Sequence, residues 1–250
     1  MIKFTFLLTM CTFFVSCTNN PSRKIIVSES RTVQDSFVVA DVICPSKEFL
    51  VGQIKGIPQG FVQVSKDWSR REIFIDSAAY NSFQIMAEAA RADGVDLVII
   101  SGYRSFFRQK SIWDRKWDLL NNLSDSLKVL KILEFSSMPG ISRHHWGTDI
   151  DLNSLENEYF QTGYGLKVYN WLVKNALVYG FFQPYTDKEG GRNGFEEEKW
   201  HWSYFPLADD YLYCYSVDTG IREFLIGFKG NEYYQKLNIL EDYVKGVEER

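Results

Sequence analysis

The chain has 250 residues and a formal net charge of −4, with acidic and basic residues mixed along its length. This balance excludes the basic face that nucleic-acid-binding proteins need, so we expect no nucleic-acid partner. Aromatic residues make up 16% of the chain, with seven Trp and nineteen Phe, which excludes intrinsic disorder over most of it. The length suits one fairly large domain, or one domain with an N-terminal extension.

The first residues have the pattern of a secretory leader. Lys3 precedes a mostly apolar run of twelve residues from Phe4 to Val15, shorter than the roughly 20 residues that span a bilayer. The run ends in Phe14-Val15-Ser16-Cys17, which resembles the lipobox of bacterial lipoproteins. We therefore predict a signal peptide at 1–16 and a lipid on Cys17, with an ordinary secretory leader cleaved nearby as the alternative.

Both interpretations of the leader place the mature protein outside the cytoplasm. The lipoprotein interpretation anchors it to a membrane of the cell envelope, facing the periplasm or extracytoplasmic space. After cleavage and acylation, Cys44 and Cys214 remain as a pair that can form a disulfide in an oxidising compartment. Two separate buried thiols are the alternative, because the sequence does not show whether the two cysteines are close.

Two segments precede the first clear helix. Polar residues indicate a lipid-anchored tether over 17–35. The following 36–74 is an N-terminal extension without an assigned role, with short β-type stretches at 36–43 and 61–64.

From Asp76 the chain shows regular periodicity. Asp76 or Ser77 can cap a helix whose apolar residues recur at helical spacing until Asp93-Gly94. A buried strand is predicted over 95–100. Further along the chain the patterns predict helices at 106–120, 124–135, 166–179 and from about 232 to the C-terminus, strands at 147–152 and 199–204, and a polar loop at 186–194.

The order of these elements predicts an α+β fold. We expect a single domain in which a small, mainly antiparallel sheet is flanked by helices. In the strand at 147–152, Asp149 and Asp151 share one face because alternate residues of a strand point the same way.

All three histidines of the chain fall in two short motifs. His144 and His145 lie in Ser142-Arg143-His144-His145-Trp146-Gly147-Thr148-Asp149-Ile150-Asp151, and His201 lies in Glu198-Lys199-Trp200-His201-Trp202. Two imidazoles and one carboxylate form the open ligand set of a catalytic zinc site, whose fourth position is left for water. A carboxylate such as Glu198, beside that water, can take its proton.

The motifs also carry a family resemblance. Ser142-x-His144-x-x-Gly147-x-x-x-Asp151 and Glu198-x-Trp200-His201-x-x-Tyr204 resemble the paired motifs of the D-alanyl-D-alanine carboxypeptidases and dipeptidases of the VanY and VanX type. Tyr103-Arg104-Ser105-x-x-x-Gln109 is similar to a third motif of that family, and all three stand in the family's order. The resemblance implies a zinc D,D-peptidase domain over 75–206, followed by a C-terminal helical extension at 207–250.

The resemblance also implies roles for individual residues. His144, Asp151 and His201 would bind Zn²⁺, and Glu198 would be the general base. Arg104 would stabilise the developing oxyanion or hold the carboxylate of the peptide. The implied substrate is the terminal D-Ala-D-Ala bond of peptidoglycan stem peptides. The side chains expected to line the substrate site are Ser142, Gln109, Tyr103, Trp200 and Tyr204.

Several alternatives stay open on the sequence alone. Family members usually carry Ala at the position of Asp149, so this chain has a second acid that could bind the metal or support an imidazole. His145 could be a ligand or a packed neighbour, and Arg104 could be part of a structural ion pair. At the level of function, the alternatives are an endopeptidase that cuts cross-links and an inactive, metal-bound wall-binding lipoprotein.

Overall fold

The computed structural model describes residues 42–250, which form one compact unit. The predicted signal peptide, the lipidation site at Cys17 and the tether lie outside the described residues. The helices are α1 Lys47–Leu50, α2 Ser77–Ala92, α3 Phe106–Leu119, α4 Asp125–Leu133, α5 Gly163–Asn175, α6 Phe205–Val217 and α7 Tyr233–Lys236. The strands are β1 Phe61–Gln63, β2 Phe74–Asp76, β3 Ile99–Ser101, β4 Asp149–Leu152, β5 Phe181–Phe182 and β6 His201–Tyr204.

The strands form two small antiparallel sheets. One pairs β1 with β2, and the other has four strands in the order β3-β4-β6-β5. Helices pack around both sheets, which confirms the predicted α+β fold with a small antiparallel sheet. The two central strands of the larger sheet are β4 and β6, the strands that carry the acidic and histidine motifs.

The pairing of β4 with β6 separates polar from apolar side chains. Asp151 lies opposite His201, and Asp149 lies opposite Ser203. Between these pairs, Ile150 lies opposite Trp202, and both of these residues belong to a buried apolar cluster. Because side chains alternate along a strand, the four polar residues share one face and the apolar pair faces the core.

Segments outside the strands contribute to two buried apolar clusters, one with Leu50 and Val51 and the other with Trp68. Leu50 and Val51, from α1 and its C-terminal end, are buried, as is Trp68 between β1 and β2. Cys44 and Cys214 form a disulfide with a Cα–Cα distance of 5.5 Å. This bond covalently joins the segment before α1 to α6, and it decides between the two alternatives left by the sequence.

Capping residues account for where the two longest helices of the structure begin. Asp76 accepts hydrogen bonds from the backbone N–H groups of Ala78 and Ala79 at the start of α2. Ser105 accepts one from Arg108 at the start of α3. Each cap satisfies donors that the first turn of a helix leaves without partners, so these helices begin where the sequence predicts.

Two predicted elements differ from the structure. The strand expected over 95–100 begins only at Ile99, where the chain first pairs with Leu152 of β4. The final helix expected from residue 232 is interrupted after α7, because Asn238 has a φ of 51° and a left-handed residue cannot continue a right-handed helix. The longest C-terminal helix is instead α6, which lies almost entirely within the predicted helical extension at 207–250, although no individual helix was predicted there, and which has a proline in its first turn.

Across residues 42–250, none of the helices combines the length and the apolar composition that crossing a bilayer requires.

Replacing both Cys44 and Cys214 with Ser should lower the free energy of unfolding by about 2–5 kcal/mol, because the disulfide restricts the unfolded chain over a long loop. Urea unfolding of the oxidised protein and of the double variant measures the difference. The reduced wild-type protein is the control and should unfold with the double variant. Equal midpoints for oxidised wild type and double variant would contradict the expectation.

Candidate metal centre and its cleft

Three elements bring the predicted ligands together. His144 lies on a 3-10 turn formed by Arg143–Trp146, Asp151 lies in β4, and His201 begins β6. Gly147 ends the 3-10 turn with a φ of 69°, and a Cβ at this position would lie 2.4 Å from the ring of Phe61. Only glycine fits this close approach in a left-handed conformation, so Gly147 lets the chain pass from His144 directly into β4.

The three side chains fit a metal ion. Their ligand atoms lie within 4.8 Å of one another, and all three residues are buried. Asp151 Oδ1 lies 3.3 Å from His144 Nε2 and 3.3 Å from His201 Nδ1. Two ligand atoms bound to one zinc ion at about 2.0–2.1 Å with tetrahedral angles would lie about 3.3–3.4 Å apart. Asp151 Oδ1 is buried and has no hydrogen-bond partner, so the site contains an acceptor that a metal would satisfy.

The charges around His201 also favour a cation. Burial alone would lower the pKa of His201, but hydrogen bonds with Asp149, Asp151 and Glu198 outweigh burial and raise it well above its ordinary value. A proton or a metal ion can supply the positive charge that these carboxylates require, and the two compete for the same nitrogen.

Hydrogen bonds on the far side of each imidazole fix which nitrogen faces the centre. His144 Nδ1 lies 2.9 Å from the carbonyl oxygen of Gly102. A carbonyl only accepts, so Nδ1 carries the proton and Nε2 is left for a metal. His201 Nε2 lies 2.8 Å from Asp149 Oδ2, which leaves His201 Nδ1 on the side of Asp151.

Asp149 supports His201 instead of joining the three-residue ligand set. Its side chain is fully buried, and Oδ2 accepts a hydrogen bond from Arg143 Nε at 2.9 Å as well as from His201. Oδ1 accepts from the hydroxyls of Thr148 and Ser203. Burial alone would raise the pKa of Asp149, but the charge of Arg143 and the bond from His201 outweigh burial and hold this pKa well below its ordinary value. Asp149 is therefore a charged acceptor that orients the His201 ring.

A cleft of about 550 Å³ opens beside the three ligand residues. Its wall includes residues of α3 and residues of the loop after β4. The residues that line it include Arg104, Ile112, Arg115, Lys116, Ser136, Ser142, Glu156, Glu158, Glu198 and Trp200.

A tight turn places Glu198 beside His201. The backbone N–H of His201 donates to the carbonyl of Glu198 at 3.2 Å, and this turn directs the Glu198 side chain back toward the imidazole. Glu198 Oε2 lies 3.2 Å from His201 Nδ1, in the wall of the cleft. A carboxylate here is within reach of a water molecule bound between the ligands and a peptide in the cleft.

Arg104 is both fixed and accessible. Its Nη1 donates to Gln109 Oε1 at 2.8 Å, and its Nη2 donates to Ser101 Oγ at 2.9 Å. Nη2 also lies 3.8 Å from Asp151 Oδ2. The side chain keeps 21% of its surface exposed and lines the cleft. It is part of an ion pair and can also present a donor to a bound substrate.

His145 is a structural neighbour of the site. It is fully buried, its Nδ1 lies 2.5 Å from the carbonyl oxygen of Arg104, and its Nε2 accepts from the N–H of Gly140. Burial lowers the pKa of His145 to about 3. The neutral ring therefore fastens the backbone of Arg104 to the loop that precedes His144.

Of the five side chains expected to line the substrate site, Ser142 and Trp200 lie in the wall of the cleft. Gln109, Tyr103 and Tyr204 are not among the residues that line it. Gln109 is fully buried, and its amide is used to hold Arg104 and to donate to the carbonyl of Ser137. Tyr103 packs edge-on against Phe61. Tyr204 alternates with Ser203 along β6, so it points away from the face that carries His201 and packs on Phe181.

The motifs did not identify Lys116 and Ser136, which also line the cleft. One pattern could have indicated Lys116. It lies seven residues after Gln109, and residues two turns apart lie on the same face of a helix.

Comparison with known proteins agrees with the resemblance found in the motifs. A family model described as VanY, D-alanyl-D-alanine carboxypeptidase, matches residues 72–207, more than half of the chain. A putative carboxypeptidase, YodJ, of Bacillus subtilis is 27% identical over 188 residues, which cover 74% of this chain and 61% of that protein. A D-alanyl-D-alanine carboxypeptidase of Enterococcus faecalis is 32% identical over 124 residues, covering 48% of this chain and 44% of that protein. The chain thus spans less than two thirds of the length of either relative.

Two solved structures are similar to the described chain. The LD-carboxypeptidase LdcB has a TM-score of 0.50 and 25% identity, with 76% of this chain and 79% of that chain covered. A mutant of the vancomycin-resistance D,D-pentapeptidase VanY, in complex with Zn(II), has a TM-score of 0.49 and 26% identity, with 66% of this chain and 89% of that chain covered.

Replacing Asp149 with Asn should weaken binding of Zn²⁺ by about 10- to 100-fold, the usual effect of losing a group that orients a ligating imidazole. The amide would donate to His201 Nε2 and thereby favour a proton on Nδ1, the nitrogen that faces the ligands. Competition with a chromophoric chelator measures the dissociation constant, and circular dichroism checks the fold. Asp125→Asn, on the exposed side of α4, is the matched control. Unchanged affinity in a folded Asp149→Asn protein would refute the orienting role.

Proposed function

Because the chain belongs to the VanY family of D-alanyl-D-alanine carboxypeptidases, we propose that it hydrolyses the terminal D-Ala-D-Ala bond of peptidoglycan stem peptides with the help of zinc. One observation supports the proposal most directly. Asp151 Oδ1 is a buried acceptor without a hydrogen-bond partner, 3.3 Å from nitrogens of two histidines, in the wall of a cleft that also holds Glu198. Two imidazoles with one carboxylate are a donor set typical of catalytic zinc.

His144, Asp151 and His201 would hold the zinc ion, which when bound supplies a Lewis acid that polarises the scissile carbonyl and makes a water molecule more acidic. Glu198 accepts a proton from the attacking water at a carboxylate oxygen and delivers it to the leaving amine. Arg104 donates to the carbonyl oxygen as negative charge develops there. Gln109 and Ser101 keep the guanidinium in place for this task.

The family and the Enterococcus relative support a substrate ending in D-Ala-D-Ala. The similarity to the LD-carboxypeptidase LdcB favours a second candidate, in which the enzyme removes a terminal D-residue that follows an L-centre. Both candidates use the same residues for hydrolysis, and they differ only in the stereochemistry that the cleft accepts on the acyl side of the bond.

We also propose that the mature protein is a lipoprotein of the cell envelope, anchored through Cys17 and facing the periplasm or extracytoplasmic space. The lipobox-like residues before Cys17 support this proposal. The disulfide between Cys44 and Cys214 supports it as well, because such bonds persist in oxidising compartments. Peptidoglycan lies in the same compartment, so an anchored enzyme would have its substrate nearby.

Replacing Glu198 with Gln should lower kcat by about 10²- to 10⁴-fold, because the amide cannot accept the proton of the attacking water. The assay incubates the protein with a stem pentapeptide ending in D-Ala-D-Ala and with the corresponding tetrapeptide, and identifies the products by mass. Loss of one alanine from the pentapeptide indicates the D,D-activity, and loss from the tetrapeptide alone indicates the L,D-activity. Removal of zinc by a chelator should abolish either activity, and added Zn²⁺ should restore it.

Glu197→Gln is the matched control for this experiment. Glu197 neighbours Glu198, forms an ion pair with Lys199 and is not among the residues that line the cleft, so its loss should leave kcat within about twofold. Full activity of the Glu198→Gln protein, or of the zinc-free protein, would rule out the mechanism.

Replacing Cys17 with Ser should release the protein from the membrane fraction, because a serine cannot receive the lipid. Fractionation of cells that express the full chain, with labelled fatty acid to follow acylation, measures the change. Cys11→Ser is the control and should stay in the membrane fraction with its label. Equal labelling of the Cys17→Ser protein would contradict the anchor.

A further inference from the structure

The wall of the cleft formed by α3 is cationic. Arg104 lies just before this helix, and Arg115 and Lys116 lie near its C-terminal end. Glu156 and Glu158, in the loop after β4, also line the cleft. The hydrolytic mechanism uses only Arg104 of these charges, so the remaining cations of the wall have no role in it.

Lys116 lies on the face of α3 that turns toward the cleft. It follows Gln109 by seven residues, which places it on the same side of the helix about 10 Å further along. Ile112 lines the cleft between them. The face therefore continues along the cleft from Gln109, which holds Arg104, to the ammonium of Lys116.

The Lys116 ammonium has no carboxylate partner within residues 42–250. Its Nζ donates to Ser136 Oγ at 2.6 Å, and Lys116 takes part in none of the ion pairs found there. By contrast, Lys110 on the same helix pairs with Asp114. Ser136 also lines the cleft, so an ammonium and a hydroxyl lie together on its wall.

The surroundings of Lys116 make its positive charge unfavourable unless an anion binds beside it. Burial lowers the pKa of Lys116, the charge of Glu198 acts against this, and Arg115 and Arg104 lower the pKa further. A partly buried cation beside two guanidinium groups is stabilised when an anion binds to it.

We propose that Lys116 and Ser136 form a subsite for a carboxylate of the substrate, and that this carboxylate is the free C-terminus of the peptide. The proposal rests on the peptidase function given above and deepens it. The ammonium donates charge-assisted hydrogen bonds to the carboxylate, and the Ser136 hydroxyl donates a further one. A peptide bond within a cross-link has no such carboxylate next to it, so the subsite favours release of a terminal residue over cutting of cross-links.

Binding to a Glu198→Gln protein tests the subsite without hydrolysis. The dissociation constants of a pentapeptide with a free C-terminus and of the same peptide as its C-terminal amide are measured by calorimetry, with Lys116 present and with Lys116→Met. The free acid should bind roughly 10-fold or more tightly than the amide when Lys116 is present, and the two should bind within about twofold with Met, because a charge-assisted bond has been lost. Ser136→Ala is the second variant and should reduce the preference for the acid in part.

Lys110→Met is the matched control, because Lys110 occupies the same helix but pairs with Asp114. It should keep the full preference for the free acid. A stem peptide whose diamino acid carries an additional side-chain carboxylate separates the two sources of the anion. If Lys116→Met weakens only the binding of that peptide, and acts equally on its acid and its amide, the C-terminal assignment is wrong.

The subsite and the peptidase function can fail separately. Equal affinities of acid and amide with Lys116 present, or no measurable binding of either peptide, would overturn the subsite even if the wild-type protein hydrolyses the peptide. A preference for the acid that depends on Lys116 would support the subsite even if hydrolysis were absent and the peptidase function wrong.

Discussion

The rest of the site depends on the hydrogen bonds and the ion pair that the buried carboxylate of Asp149 forms. A charge removed from water costs several kcal/mol unless it is paired and hydrogen-bonded. Asp149 meets this requirement with Arg143, Thr148, Ser203 and His201. These partners come from the 3-10 turn, from the residue before β4, and from β6, so the carboxylate is satisfied only when all three segments are in place. The same set of bonds fixes the orientation of the His201 ring.

The register of β4 and β6 determines both which side chains enter the apolar core and which face the metal site. Ile150 and Trp202 face the apolar cluster, while Asp151 and His201 face the cleft from the neighbouring pair. A slip of one residue between β4 and β6 would move every side chain of one strand to the other face and would bury carboxylates among apolar groups. Burial of the core therefore enforces the distance between two of the metal ligands, and the left-handed Gly147 places the third beside them.

Features that depend on the local spacing of residues could be predicted from the sequence. The ligand residues and Glu198 come from short motifs, and the beginning of α2 comes from the capping residue Asp76. The role of a side chain could not be predicted from the sequence where that role depends on tertiary contacts. Gln109 has the motif position of a substrate contact, but its amide is used to hold Arg104. Tyr204 falls on the far face of β6, and the left-handed Asn238 breaks a segment whose pattern predicts one helix.

The distribution of charge along the cleft connects the proposed hydrolysis with the proposed choice of bond. The ligand set contains one carboxylate, and Glu198 supplies a second negative charge beside it, so a divalent ion would be balanced at that end. Arg104 is partly compensated by Asp151 at 3.8 Å. Lys116 has no acidic partner in the part of the chain that the structure describes. An anionic group on the substrate would restore the balance there and hold the peptide from its end. In the proposed subsite, this cation on α3 would hold the peptide by its C-terminus and would thereby select the peptide bond that reaches Glu198.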